Sequence, residues 1–370
     1  MAEASVASLV IDNGSSTMKV GYAGDDSPRS VFPTVLGNIK NPVFLVGMNR
    51  KDEFVGNEAQ ARRGMLALRY PINNGFITSW DDMEKLWHYC LEPFAPSSLS
   101  ILLTEPPLNP SANREKMTQI MFETFLVPSL MLKPCPVLSL YTVGRTDGCV
   151  LESGDGITHI VPIHESSILS HAVLRLDLAG RDSTEYLKNL CNERGYSFTT
   201  GADREIVRDM KEKLSYVALQ YERELETALT TQSQKSYELP DGSIVSLGNE
   251  RFKCAEILFN PSLLGRDMHG VHTCIYQCIN KCDENIRSQM YANIVLGGGG
   301  TLFPGMVERL TRELTNLVPS TTKIKILAPS YRQNSAWLGG SILASSNILM
   351  PMWTTKAEYD EIGPSVILNK

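Results

Sequence analysis

Short apolar runs broken by small polar turns recur along this chain, and two of them share one plan. Residues 7–24, Ala7-Ser-Leu-Val-Ile-Asp-Asn-Gly-Ser-Ser-Thr-Met-Lys-Val-Gly-Tyr-Ala-Gly24, read as an apolar strand, a small polar turn and a returning strand. Residues 148–163, Gly148-Cys-Val-Leu-Glu-Ser-Gly-Asp-Gly-Ile-Thr-His-Ile-Val-Pro-Ile163, repeat that order with an acidic residue before a glycine-bearing turn. The two copies lie much further apart than the roughly 20 to 50 residues of a solenoid repeat, which points to a duplicated lobe. Between them the spacing predicts a helix over 113–125, with Ser111 and Asn113 as caps, and a helical stretch after Pro136; Pro128, Pro134 and Pro136 interrupt the run. Further on, Ile206, Val207, Met210, Leu214, Val217 and Leu225 alternate with charges, predicting one long amphipathic helix over 203–226. Pro240-Asp-Gly242 centres a hairpin over 237–245. Residues 293–300 form an apolar strand ending in four glycines, followed by an amphipathic helix over 306–317.

Length adds a constraint that patterning does not: 370 residues exceed one ordinary core, so two lobes are expected. With 42% apolar and 21% charged residues the chain has the usage of a folded globular protein rather than a disordered one. The net charge of −6 and the lack of a basic run give no support to a general nucleic-acid or anionic-membrane surface. No stretch reaches the roughly 18 apolar residues of a membrane span, and the start lacks a signal-peptide pattern, so a cytoplasmic protein is expected. The eight cysteines are scattered and are expected as free thiols. Cys274, Cys278 and Cys282 follow a helical i, i+4, i+8 spacing, but the outer two are about 12 Å apart along such a helix. Ligands sharing one zinc sit about 2.3 Å from it, so a core stripe is the better reading.

Glycine and small residues let backbone amides approach and wrap a phosphate. Gly14, Ser15 and Ser16 offer one such turn, and Gly154, Asp155 and Gly156 the other. Lys19 would add a charge-assisted contact, while Asp12 and Glu152 would organise a hydrated magnesium ion. Each turn alone is ordinary turn chemistry; their pairing makes a phosphate clamp. The run from Gly297 to Gly300 reads either as a connector or as a loop that admits a flat ligand such as adenine. Lys211 and Glu212 read by themselves as a solvated charged face, and His159 as a hydrogen-bonded structural histidine.

With these loops in place, the sequence resembles actin over almost its whole length. Besides the loops, the resemblance rests on Val31-Phe-Pro33, Leu103-Thr-Glu105, Pro107-Leu-Asn-Pro110, Val137-Leu-Ser-Leu-Tyr141, Leu178-Ala-Gly-Arg-Asp182, Arg204-Glu-Ile-Val-Arg208, Tyr237-Glu-Leu-Pro-Asp-Gly242, Gly339-Gly-Ser-Ile-Leu-Ala344 and Tyr359-Asp-Glu361. It implies the two-lobed α/β actin-like ATPase fold, with duplicated mixed-sheet domains and flanking helices, shared with sugar kinases and heat-shock chaperone ATPases. The implied first lobe is 1–142 plus 335–370, with an assembly-loop subdomain at about 34–70; the second is 143–334, with an inserted subdomain at about 181–268. ATP or ADP and Mg²⁺ (or Ca²⁺) would lie in the cleft between the lobes. By position, Asp12, Gly14, Ser15, Ser16, Thr17, Lys19, Gly154, Asp155, Gly156 and Ile157 are expected at the phosphates. Gly180, Arg208, Lys211, Glu212, Gly298, Gly299, Gly300 and Leu302 are expected on the nucleoside side.

The departures fall where actin hydrolyses ATP and makes its contacts. Ser16 replaces a glycine, Glu152 an aspartate near the metal, and Cys135 the glutamine that orients the attacking water, while His159 remains. A thiol is short and a weak hydrogen-bonding group, so slowed hydrolysis is expected. Residues 40–48, with Val43, Phe44 and Leu45, correspond to the loop actin inserts into the next subunit, implying a head-to-tail filament of this chain or with other actins. The groove for actin-binding proteins would lie near Tyr141, Thr142, Gly144, Thr146, Leu343 and Met352, made more polar by Ser167 and Ser346. The acidic cluster offered to myosin is reduced to Glu3, and Asn74 replaces the modified histidine. The expected function is a divergent, ATP-binding cytoskeletal actin with at most a weak assembly-coupled ATPase. The alternative is a non-filamentous actin-related subunit holding ATP as a structural ligand; a sugar kinase would need a second-substrate pocket that no segment supplies.

Overall fold

The structure, a computed structural model, describes residues 7–40, 53–230, 234–346 and 351–370. Two compact units emerge: residues 1–146 with 334–370, and residues 147–333.

The first unit is built on a six-stranded sheet in the order Thr354–Thr355, Ser129–Pro134, Ser100–Glu105, Ser8–Asn13, Thr17–Tyr22, Ser30–Pro33. The strands Ser8–Asn13, Ser100–Glu105 and Ser129–Pro134 run parallel, and all six residues of Ser100–Glu105 are buried. That is the signature of a central strand covered on both faces. Strand periodicity sorts its side chains accordingly. Leu9, Ile11, Ile101, Leu103, Leu130 and Leu132 join one core with the helices Trp80–Leu91 and Ser111–Glu123. Their neighbours Val10, Leu102 and Met131 join another, with Leu138 of Cys135–Tyr141 and Trp337 of Ser335–Ala344. Pro136 is tolerated because it falls in the first turn of its helix, where no N–H is required. Ser111 and Asn113 do not cap the helix expected over 113–125: it starts one residue after Pro110, which occupies the cap position, and Ser111 is already helical. A smaller sheet of Glu53–Val55, Leu36–Ile39 and Leu66–Arg69 has its own core of Val35, Phe54, Ala59 and Leu66. Arg69 ties it to the helix Trp80–Leu91 through two bonds to Asp82, at 2.9 and 2.8 Å. Residues 41–48 of the expected docking loop lie outside the described residues.

The second unit repeats the central motif. Its sheet runs Ser167–Ile168, Thr158–His164, Gly148–Ser153, Ile294–Gly297, Ile326–Leu327, with Leu174–Leu176 also on Thr158–His164. Here again the first hairpin strand has an antiparallel partner on one side and a parallel one on the other. The helices Val271–Asn280, Glu284–Ala292 and Met306–Leu317 cover it, with Cys274, Cys278 and Cys282 inside that core and the Cys149 Sγ 4.0 Å from that of Cys278. The expected hairpin over 237–245 forms, pairing Tyr237 with Val245.

The helix expected over 203–226 is instead two, Gly201–Leu214 and Tyr221–Thr230. Ser215 turns extended (φ −83°, ψ 155°), and the backbone between finds partners elsewhere. Tyr216 N–H donates to Arg251 O, Val217 N–H to Pro304 O, and Ala218 O accepts from Arg309 Nη1. Val217 and Ala218 are buried by these contacts. Amphipathic spacing passed through the break because apolar residues recur on both sides of it, Val207 and Met210 buried before it and Leu225 half-buried after it; only partners distant in sequence replace the helical hydrogen bonds. Among the described residues no helix is long and apolar enough to cross a membrane.

Candidate functional site

In each unit, chemistry-bearing residues gather at the carboxyl ends of parallel strands, the edge where open α/β sheets bind ligands. In the first unit these ends are Asp12-Asn13, Thr104-Glu105 and Pro134-Cys135; in the second they are Glu152-Ser153 and Gly297-Gly298.

The first turn is fixed by charge and hydroxyl groups. Register sets Asp12 opposite Lys19, and the Lys19 Nζ lies 2.7 Å from Asp12 Oδ2 with both side chains buried. Thr104 Oγ1 donates to Asp12 Oδ1 at 2.8 Å. The turn's carbonyls are drawn off by Thr34, which donates from Oγ1 to Gly14 O at 2.7 Å and from N to Ser16 O at 2.9 Å. Gly14 is required by space, since a Cβ there would lie 2.4 Å from Thr17 O. Gly14, Ser15, Ser16 and Thr17 remain half-buried at the rim.

The second turn is held mainly by backbone. Gly154 N–H donates to Ile157 O at 3.1 Å, closing it. The helix Gly180–Glu193 then aims its first amides at the loop: Gly180 N–H donates to Gly154 O at 3.1 Å and Arg181 N–H to Asp155 O at 2.8 Å. The Arg181 guanidinium lies 3.4 Å from Asp155 Oδ2. Lys211 is buried rather than on a solvated face, and donates to Gly180 O at 2.9 Å and Thr184 Oγ1 at 3.0 Å. Burial lowers its pKa, while Asp155 works in the opposite direction. Glu212 is exposed, and Arg208 pairs with Glu205 at 2.8 Å. Gly156 and Ile157 are buried.

The glycine run has a packing reason of its own. Gly298, at φ +78°, carries its backbone so close to Ser153 that a Cβ would lie 2.3 Å from Ser153 O. Gly299 is exposed, while Gly300 and Leu302 are half-buried in the turn that follows. His159 sits opposite Glu152 in the hairpin register, and burial, reinforced by Arg175, pushes it down to about 4, so it is neutral at neutral pH. Cys135 is the half-buried first residue of its helix. Of the groove residues, Leu343 is buried in the core with Trp337, whereas its neighbour Ile342 is exposed. Tyr141, Thr142 and Met352 are half-buried, and Gly144 and Thr146 exposed.

Among the described residues no cluster of three or more His, Cys, Asp or Glu could hold a metal ion directly. Asp12 in the first unit and Glu152 in the second are each carboxylates, hard oxygen donors of the kind a hydrated Mg²⁺ accepts. Sequence reasoning passed over Thr34, Thr104, Arg181 and Thr184, which hold the turns; Thr104 lay within a recognised motif without a role attached.

The duplicated strand–turn–strand units, each with a parallel neighbour, define an actin-like α/β fold. The family model for actin matches residues 3–370, and the chain belongs to the actin family. Members of that family generally bind ATP or ADP with a divalent cation.

Proposed function

We propose that this protein is a divergent actin that binds ATP through both hairpins, joins head-to-tail filaments and turns ATP over slowly. The observation carrying the nucleotide reading is the buried Asp12–Lys19 pair beneath a turn whose carbonyls are tied back by Thr34. An anion at that turn meets amides and an ammonium rather than carbonyl oxygens. When bound, Mg²⁺ would offset phosphate charge, held through water by Asp12 and Glu152. Gly154, Asp155, Gly156 and Ile157 form the second phosphate turn. Gly180, Arg208, Lys211, Glu212 and the turn 298–302 serve the nucleoside.

Slow turnover follows from Cys135. A thiol accepts hydrogen bonds weakly, so the attacking water loses an orienting partner, at a cost of roughly 10²-fold in rate. Neutral His159 retains a nitrogen able to accept a hydrogen bond from water. Filament formation through residues 40–48 is supported by their apolar character and by the family match. Phosphate release and sedimentation with ATP and magnesium test both parts. Cys135→Gln is expected to speed phosphate release at least about tenfold. Wild-type turnover at a conventional actin's rate overturns slow hydrolysis, and a chain that stays monomeric at high concentration overturns assembly.

A further inference from the structure

The parallel ladder between Ser8–Asn13 and Ser100–Glu105 pairs residues only as far as Ile11 with Leu103. Beyond that point side chains take over. Thr104 Oγ1 accepts from Asn13 N–H at 2.9 Å and donates to Asp12 Oδ1 at 2.8 Å. Asn13 Nδ2 donates to Thr104 O at 3.1 Å, and Asn13 Oδ1 accepts from Trp87 Nε1 at 3.0 Å. Thr104 is 1% and Trp87 0% exposed, and Asn13 between them is half-buried.

We propose that Thr104 is a positioning residue that fixes the Asp12 carboxylate for the divalent cation accompanying the nucleotide; this rests on the nucleotide reading above. A hydroxyl has one proton and a free rotor. Because the Asn13 amide donates to Oγ1, the Thr104 proton is directed to Asp12 Oδ1. The Asn13 side chain is set in the same way, with an acceptor before its Nδ2 and a donor before its Oδ1, so it cannot flip without losing both bonds. Asp12 thereby receives one donor on each oxygen, Thr104 on Oδ1 and Lys19 on Oδ2. Each oxygen keeps lone-pair capacity for a water of a hydrated cation. Without Thr104 the carboxylate would answer to Lys19 alone and could swing with it. A purely structural tie would weaken the turn toward any ligand; a positioning role weakens the divalent-dependent part.

The test uses the full chain, with ATP affinity read by calorimetry in magnesium and again in chelator. Thr104→Val, which removes the hydroxyl, is expected to lose about tenfold or more in magnesium-ATP affinity, since hydrogen bonds to charged groups are the strong ones. Its affinity for ATP in chelator should stay within about twofold, and Thr104→Ser should return magnesium-ATP affinity to near the wild-type value. Equal losses in both conditions, or an unchanged magnesium-ATP affinity, overturn the proposal. Should Thr104→Val not fold, Trp87→Phe removes the outermost bond together with part of a buried ring, and its affinity in chelator serves as the control for the lost packing. A smaller loss confined to magnesium then supports the proposal, and no difference overturns it. Wild-type protein that binds neither form removes the nucleotide reading and this proposal together, a result distinct from a Thr104→Val chain that binds as the wild type does.

Discussion

The first hairpin is locked by a buried ion pair and the hydroxyls that flank it, the second mainly by backbone amides and close glycine packing beside one buried hydroxyl pair, Ser153 with Thr158, although one sequence plan produces both. In the first, Asp12, Lys19, Thr104 and Thr34 do the holding with side chains. In the second, amides of Gly180 and Arg181 donate to the turn's carbonyls, and the backbone of Gly298 presses on Ser153. A repeated pattern of strand, acid, small turn and strand therefore dictates local geometry but not the means of support. Each copy took its partners from whatever strand or helix its own unit placed beside it.

If that contrast is right, the two hairpins should fail in different ways. The largest effect is expected at the second. Gly298→Ala would combine a strained positive φ with a backbone overlap, costing about 2–6 kcal/mol of stability, measured by urea unfolding. A cost under about 1 kcal/mol would mean that close packing is not what holds this turn. Next, Lys19→Met strands the Asp12 carboxylate in a buried site and should cost about 3–5 kcal/mol by the same measurement. Because the pair is buried, added salt should leave that difference largely intact.

The smallest expected effect concerns pH and separates the hairpins by titration. His159 titrates at about 4 in the folded chain against an ordinary 6.5, so between those values only the unfolded chain takes up the proton. Its contribution is fully present above about pH 6.5 and lost as pH falls toward about 4, amounting to about 3 kcal/mol at most. His159→Gln should flatten the stability profile across that window. An unchanged slope between pH 7 and 4.5 in the variant would assign the acid lability to other groups.

Much of the architecture could be read from the chain. The apolar run Leu9-Val10-Ile11 and the small polar turn after it foretold a strand and its returning partner, and the hairpin forms with Asp12 opposite Lys19. Thr104 gave no such signal, because its role depends on a parallel neighbour 91 positions from Asn13. Lys211 misled by composition: on a charged helix it looks solvated, yet Gly180 and Thr184 enclose it. The break at Ser215 was hidden for a related reason, since Arg251, Pro304 and Arg309 supply bonds that no window around residue 215 contains.

Sequence by itself determined the strands, the turns and the duplicated plan, since periodicity and turn chemistry act between residues a few positions apart. Only tertiary structure decided which groups hold each turn and where a helix stops. Those outcomes depend on hydrogen bonds and excluded volume between segments that the chain brings together over tens of residues, and local pattern carries no record of them.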